Sequence, residues 1–125
     1  MSIDLARPIV PTIALKMLSG NTRLLGIPKQ RVQVVMILPH ITEFNEELKN
    51  AIDFFKERAE SFIITSSTQK QCDEVIANYK IKENLISREY QDFSKVFAIK
   101  DQNGLLEKGL MIIDTNCQIT HKDIL

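Results

Sequence analysis

Apolar positions along the chain follow two periods, and the change between them marks its centre. Residues Val32 to Leu38 read Val-Gln-Val-Val-Met-Ile-Leu, apolar throughout except for Gln33. A run this rich in β-branched residues, with no in–out alternation, predicts a strand covered on both faces, as in a parallel sheet with helices either side. After Pro39-His40-Ile41-Thr42 the period becomes helical. Phe44, Leu48, Ala51, Ile52, Phe55 and Ala59 share one stripe with charges opposite, predicting one amphipathic helix from Glu43 to Glu60. Thr42 is the expected N-cap. Glu43, Glu46 and Glu47 then occupy the first turn, where the helix dipole favours negative charge by roughly 0.3–1 kcal/mol each. The corner between strand and helix lies at the carboxyl end of the strand, where ligands and chemistry usually sit in open α/β sheets.

The rest of the pattern is built around this unit. Residues 1–12 contain Pro8 and Pro11 and no helical period. They read as an irregular arm or edge strand, because proline donates nothing to a ladder. Ile13 to Leu18 and Thr22 to Leu25 flank Ser19-Gly20-Asn21 and predict a β-hairpin. Ser61 to Thr65 predicts a second buried strand. Thr68 with Gln71 fits a capping box, opening a helix with Cys72, Val75, Ile76 and Tyr79 on one face. Asn84 to Ser87 predicts a short third strand, and Phe93, Val96 and Phe97 one or two helical turns. A turn at Asp101-Gln102-Asn103-Gly104 precedes a strand over Leu110 to Ile113. Asp114-Thr115-Asn116-Cys117 turns it back along Gln118 to His121. The order is hairpin, β-α-β-α-β-α, hairpin: one α/β domain over residues 1–125, with residues 1–31 as its arm and hairpin, and a mixed sheet with right-handed crossovers.

Composition narrows the function class. Lysine plus arginine and aspartate plus glutamate number 16 each, without the overall basic excess of a nucleic-acid binder or a polybasic membrane patch. No apolar run reaches the roughly 18 residues of a membrane span, and the first residues lack a signal-peptide pattern. Two cysteines, Cys72 and Cys117, with no C-x-x-C, form no disulfide framework and no zinc site. A cytoplasmic protein with reduced thiols is expected. No cofactor and no metal is expected either.

The closing Leu110-Met111-Ile112-Ile113-Asp114-Thr115-Asn116, the stretch Phe93 to Ile99 and the strand Val34 to Pro39 resemble the thioredoxin fold in its peroxiredoxin form, in particular the bacterial atypical thiol peroxidases. The resemblance covers Val32 to the C-terminus. It implies a three-layer thioredoxin-like fold and a homodimer. Its peroxidatic motif, P-x-x-x-T-x-x-C, lies at the strand–helix corner, where the helix N-terminus and an arginine stabilise the attacking thiolate. Pro39 matches the proline. Glu43 stands at the threonine position. Glu46 stands at the cysteine position, or Glu47 if the turn carries one extra residue. Lys108 stands at the arginine position. The resolving-cysteine position is Ile76 or Ala77, with Cys72 about one turn earlier. The resemblance therefore implies a redoxin domain with a degenerate site, its role a non-catalytic one: binding a protein partner or small ligand at the former active-site pocket, or acting through a dimer face. The alternative is a thiol-dependent oxidoreductase working through Cys72 or Cys117 with a redoxin partner.

Each candidate residue also has a plainer reading. A Glu46 carboxylate facing the Lys108 ammonium would keep the family's charge pattern; otherwise the three glutamates compensate the helix dipole and Lys108 is a surface lysine. Cys72 on an apolar face reads first as a buried structural thiol. Cys117, in a hairpin turn, is expected to be exposed, with only His121 nearby to lower its pKa. A Cys72–Cys117 bridge is not expected from their separate elements. His40 is the best acid–base candidate, though a lone loop histidine is usually solvated. Tyr79, Tyr90 and the six phenylalanines read as core or boundary residues.

Overall fold

The computed structural model describes residues 12–26, 31–97, 109–116 and 119–124, with side chains described except at 94–97 and 119–124. Residues 1–11 of the expected 1–12 arm, the turn at 101–104, Lys108 and Cys117 lie outside the described residues.

Strands β1 (Ile13–Lys16) and β2 (Thr22–Leu25) form the expected antiparallel hairpin. Gly20 in the connecting turn has φ 96, a conformation that glycine alone adopts without strain. The main sheet has five strands in the order β5-β4-β3-β6-β7. Strand β3 (Val32–Ile37) is central, parallel to β4 (Ala59–Ile64) and antiparallel to β6 (Gly109–Ile113). Strand β5 (Ile86–Ser87) extends the parallel side, and β7 (Ile119–Ile124) pairs back on β6. Gln33 through Leu38 are all buried, which accounts for the continuous apolar run.

Alternate residues of β3, with Leu38 just after it, serve two cores. Val35 and Ile37 join Leu15, Met17, Leu25, Tyr90 and Phe93, contributed by the hairpin and α3 (Tyr90–Phe97). Met36 and Leu38 join Ile52, Cys72 and Val75, contributed by α1 (Glu46–Phe55) and α2 (Gln69–Tyr79). Gln33, the one polar residue of the run, points toward the hairpin layer, where its Oε1 accepts the Gly26 N–H at 2.9 Å. Arg23 fastens the hairpin from the other end. Its Nη1 donates to the carbonyls of Ser61 at 2.9 Å and Asn84 at 3.1 Å, and its guanidinium lies 3.9 Å from the centre of the Phe62 ring.

Three boundaries differ from the sequence expectation. The segment after Pro39 is not one helix from Glu43 to Glu60. Ile41–Glu43 form a single 3-10 turn, Phe44 and Asn45 are extended, and α1 begins at Glu46. The N-cap is Asn45, whose Oδ1 accepts the Leu48 N–H at 3.0 Å, and not Thr42. Burial decides this. Ile41 and Phe44 both enter the core, with Phe44 edge-on to Tyr79 at 5.1 Å, and Phe44 does so from extended backbone, which ends the 3-10 turn before α1 begins. At the other end, Ala59 and Glu60 belong to β4, because Ala59 pairs with Val32 at the start of the parallel register. Phe55, expected on the apolar stripe, is 38% exposed and stacks edge-on against the 69% exposed Phe54. The third strand is shorter than expected, since Glu83–Leu85 form a second 3-10 turn before Ile86. The Thr68–Gln71 capping box is present with both of its hydrogen bonds. No helix among the described residues is long and apolar enough to cross a membrane.

Candidate functional site

The carboxyl ends of β3, β4 and β5 meet at one edge. Proline at 39 stops the β3 ladder, because its nitrogen carries no hydrogen. Its carbonyl is taken up by the segment that leaves β4. The Ser66 hydroxyl donates to it at 2.7 Å, the Ser66 N–H at 3.2 Å and the Thr65 hydroxyl at 3.3 Å. The Ser67 hydroxyl accepts the Ile41 N–H at 2.8 Å in a buried setting. Three consecutive hydroxyl residues thus hold the corner shut. Beyond β5, Arg88 reaches back and donates from Nε to the Ser67 carbonyl at 2.8 Å.

The candidate residues distribute unevenly around this edge. Pro39 is half-buried at its centre. His40 is exposed, and its side chain makes no capping bond to the 3-10 turn. Its carbonyl accepts the Glu43 N–H at 3.0 Å. Glu43 is exposed on the 3-10 turn, not in the first turn of α1 as expected. Glu46 and Glu47 do open α1, both exposed. Their carboxylates sit beside the positive end of the helix dipole, and one amide there, that of Leu48, is already bonded to Asn45. Pairing of Glu46 with Lys108, any contact of Cys117 with His121 and a Cys72–Cys117 bridge lie outside the described residues.

Cys72 is fully buried, in one cluster with Leu38 and Ile41. It therefore lies beneath the corner, on the face of α2 expected from its spacing. Burial pushes its thiol up from the ordinary value of 9.0; the charge of Arg88 pulls the other way, and that of Asp73 adds to the rise. A thiol in this state is neutral near pH 7 and is a poor nucleophile. Arg88 is the cation sequence reasoning missed. The only signal available was that a residue following β5 emerges at the same edge as those following β3 and β4. Among the described residues, no group of three or more His, Cys, Asp or Glu side chains is placed to hold a metal ion.

Solved structures share this architecture closely. A peroxiredoxin-like protein from Aquifex aeolicus superposes with a TM-score of 0.73 at 14% identity, covering 95% of this chain and 75% of its own. The thioredoxin domain of a thiol-disulfide oxidoreductase from Bacteroides vulgatus gives 0.70 at 15%, covering 93% and 86%. A peroxidoxin from Mycobacterium tuberculosis gives 0.72 at 16%, covering 94% and 84%. The fold is thioredoxin-like. Within the thioredoxin-like fold the chain has a mixed central sheet, helices on both faces and an N-terminal hairpin. Identities of this size carry the architecture and leave the chemistry to the residues. Neither a protein-family model nor a curated protein matches the chain.

Proposed function

We propose that this thioredoxin-like domain is a peroxiredoxin-like protein whose peroxidatic position has lost its thiol, and that it acts as a non-catalytic binding or regulatory protein. The observation that carries this reading is the makeup of the corner after β3. Asn45, Glu46 and Glu47 open α1, and the Ile41 amide is closed onto Ser67. By the resemblance, Pro39, Glu43, Glu46 and Lys108 occupy the former active-site positions. A carboxylate at Glu46 has no oxidation state that attack on a peroxide oxygen could reach and a reductant recover. Its charge, with that of Glu47, also disfavours the anionic transition state such a site stabilises. The scaffold remains, with its cap and helix N-terminus, and its surface is available to a ligand or a second protein. A homodimer belongs to the same proposal and rests on the resemblance alone, as does a reducing, cytoplasmic setting on the two-cysteine count.

The rival reading is a thiol-dependent oxidoreductase using Cys72 or Cys117 with a redoxin partner. One observation favours it: Arg88 lies close enough for its charge to draw the Cys72 pKa down. Burial outweighs that pull, so we favour the non-catalytic role. Hydroperoxide consumption with a thioredoxin system as reductant separates the two. Turnover that disappears in Cys72→Ala or Cys117→Ala establishes the oxidoreductase. No turnover above the uncatalysed rate supports the binding role, and a light-scattering mass decides whether the protein is a dimer.

A further inference from the structure

The opposite end of the sheet, where β3 and β4 begin, holds a concavity of about 350 Å3. Six cationic side chains and two carboxylates line it, an excess of four positive charges. The chain as a whole is balanced, 16 against 16, so this excess is a local concentration. Two of the cations are already engaged. Arg23 is bonded to Ser61 and Asn84 and has Glu60 as its charge partner. Lys49 is paired with Asp53 at 2.6 Å. The remainder are Arg31, Lys56, Lys80 and Lys82, all exposed and delivered by separate segments: the approach to β3, the end of α1 and the exit from α2.

Dipole compensation is the bland explanation for lysines at helix ends. It accounts for part of the charge. The C-termini of α1 and α2 each present about half a negative charge, worth roughly one lysine together. About three positive charges are left over. One of the lysines is also held at a cost. Lys80 caps α2 with φ 56 and ψ 43, the only positive-φ residue other than glycine among the described residues. That position usually carries glycine or asparagine, because a Cβ there crowds the following carbonyl oxygen. The floor between the cations is apolar, formed by Ile52 and Ile81, both buried, and half-buried Leu85. The volume lies in the range of small-molecule sites.

We infer that this concavity is a binding site for a small organic polyphosphate, its phosphates held by Arg31, Lys56, Lys80 and Lys82 and its uncharged body resting on Ile52 and Ile81. The site lies at the end of the sheet away from Pro39 and Cys72, so it stands or falls independently of the thiol chemistry.

Adenosine 5′-triphosphate without metal, titrated into the full chain at low salt and followed by amide chemical shifts, tests the assignment. Saturable shifts centred on residues 31, 56 and 80–85 are expected. The double variant Lys80→Gly, Lys82→Ala should weaken binding at least tenfold while melting no lower than the parent, because glycine relieves the positive-φ strain. Lys16→Ala, at the other end of the sheet, should leave binding unchanged. The inference is overturned by shifts that fail to saturate at millimolar nucleotide, by shifts centred on Lys16 and Arg88, or by equal affinity in the double variant. Tighter, competitive binding of an acidic peptide or an RNA oligomer would also overturn it, because the site would then belong to a macromolecule.

Discussion

The Ile41 N–H donates to the Ser67 hydroxyl at 2.8 Å, joining the 3-10 turn after β3 to the loop that leads into α2. The bond is buried, so the amide has no water to fall back on. Ser67→Ala should therefore destabilise the domain by about 1–3 kcal/mol, the range for stranding a buried donor. Urea unfolding measures this through the transition midpoint. A shift within experimental scatter would mean that the corner closes by other contacts.

Arg23 should matter more than its exposure indicates. It donates two charge-assisted bonds to carbonyls and covers the Phe62 ring. Arg23→Lys keeps the charge and loses the planar fork and the stacking geometry. It should cost roughly 2–3 kcal/mol in the same unfolding assay, and Arg23→Ala at least as much. Equal stability of the lysine variant would show that charge alone is at work.

Much of the architecture is legible in the chain, and the exceptions share a cause. The buried strand Val32–Ile37 follows from an unbroken apolar run, and the start of α2 from the spacing of Thr68 and Gln71, because both signals are local. The start of α1 is not local. Thr42 and Asn45 are both competent caps, and the choice between them is made by Phe44 meeting Tyr79, 35 positions along the chain. The candidate site fares worse for the same reason. The convergence of Pro39, Ser67 and Arg88, and the gathering of Arg31, Lys56, Lys80 and Lys82, join segments whose spacing carries no motif.

Cys72 should make stability fall at alkaline pH. Burial raises its pKa in the folded state above the ordinary 9.0. Below the unfolded value both states hold the proton, and the thiol's contribution is fully present. As pH rises from about 9 toward the folded pKa, the unfolded chain ionises first and stability declines, by at most about 1.4 kcal/mol per pH unit. Cys72→Ala should be less stable at pH 7, because of the cavity, and should lack this component of the decline. Urea midpoints for both proteins from pH 7 to 10.5 provide the comparison; parallel curves would contradict the assignment.

Placing a thiol at the corner tests whether the scaffold still favours an anion there. In Glu46→Cys the new thiol sits in the first turn of α1, where the helix N-terminus lowers a cysteine pKa. It should react with a disulfide reagent at pH 7 at least tenfold faster than buried Cys72. Glu46→Cys combined with Glu47→Gln should be faster still, since a neighbouring carboxylate opposes the thiolate. Reaction no faster than that of Cys72 would mean that the helix terminus no longer supports the charge.

Peroxide challenge of the unmodified protein tests the central claim most directly. Reduced protein is incubated with excess hydrogen peroxide alongside a thioredoxin reducing system, and peroxide loss and the oxidation state of Cys72 are followed together by colorimetry and mass spectrometry. The account predicts peroxide loss at the uncatalysed rate and a Cys72 thiol that stays reduced. Catalytic peroxide loss accompanied by oxidation of Cys72, and abolished in Cys72→Ala, would contradict it.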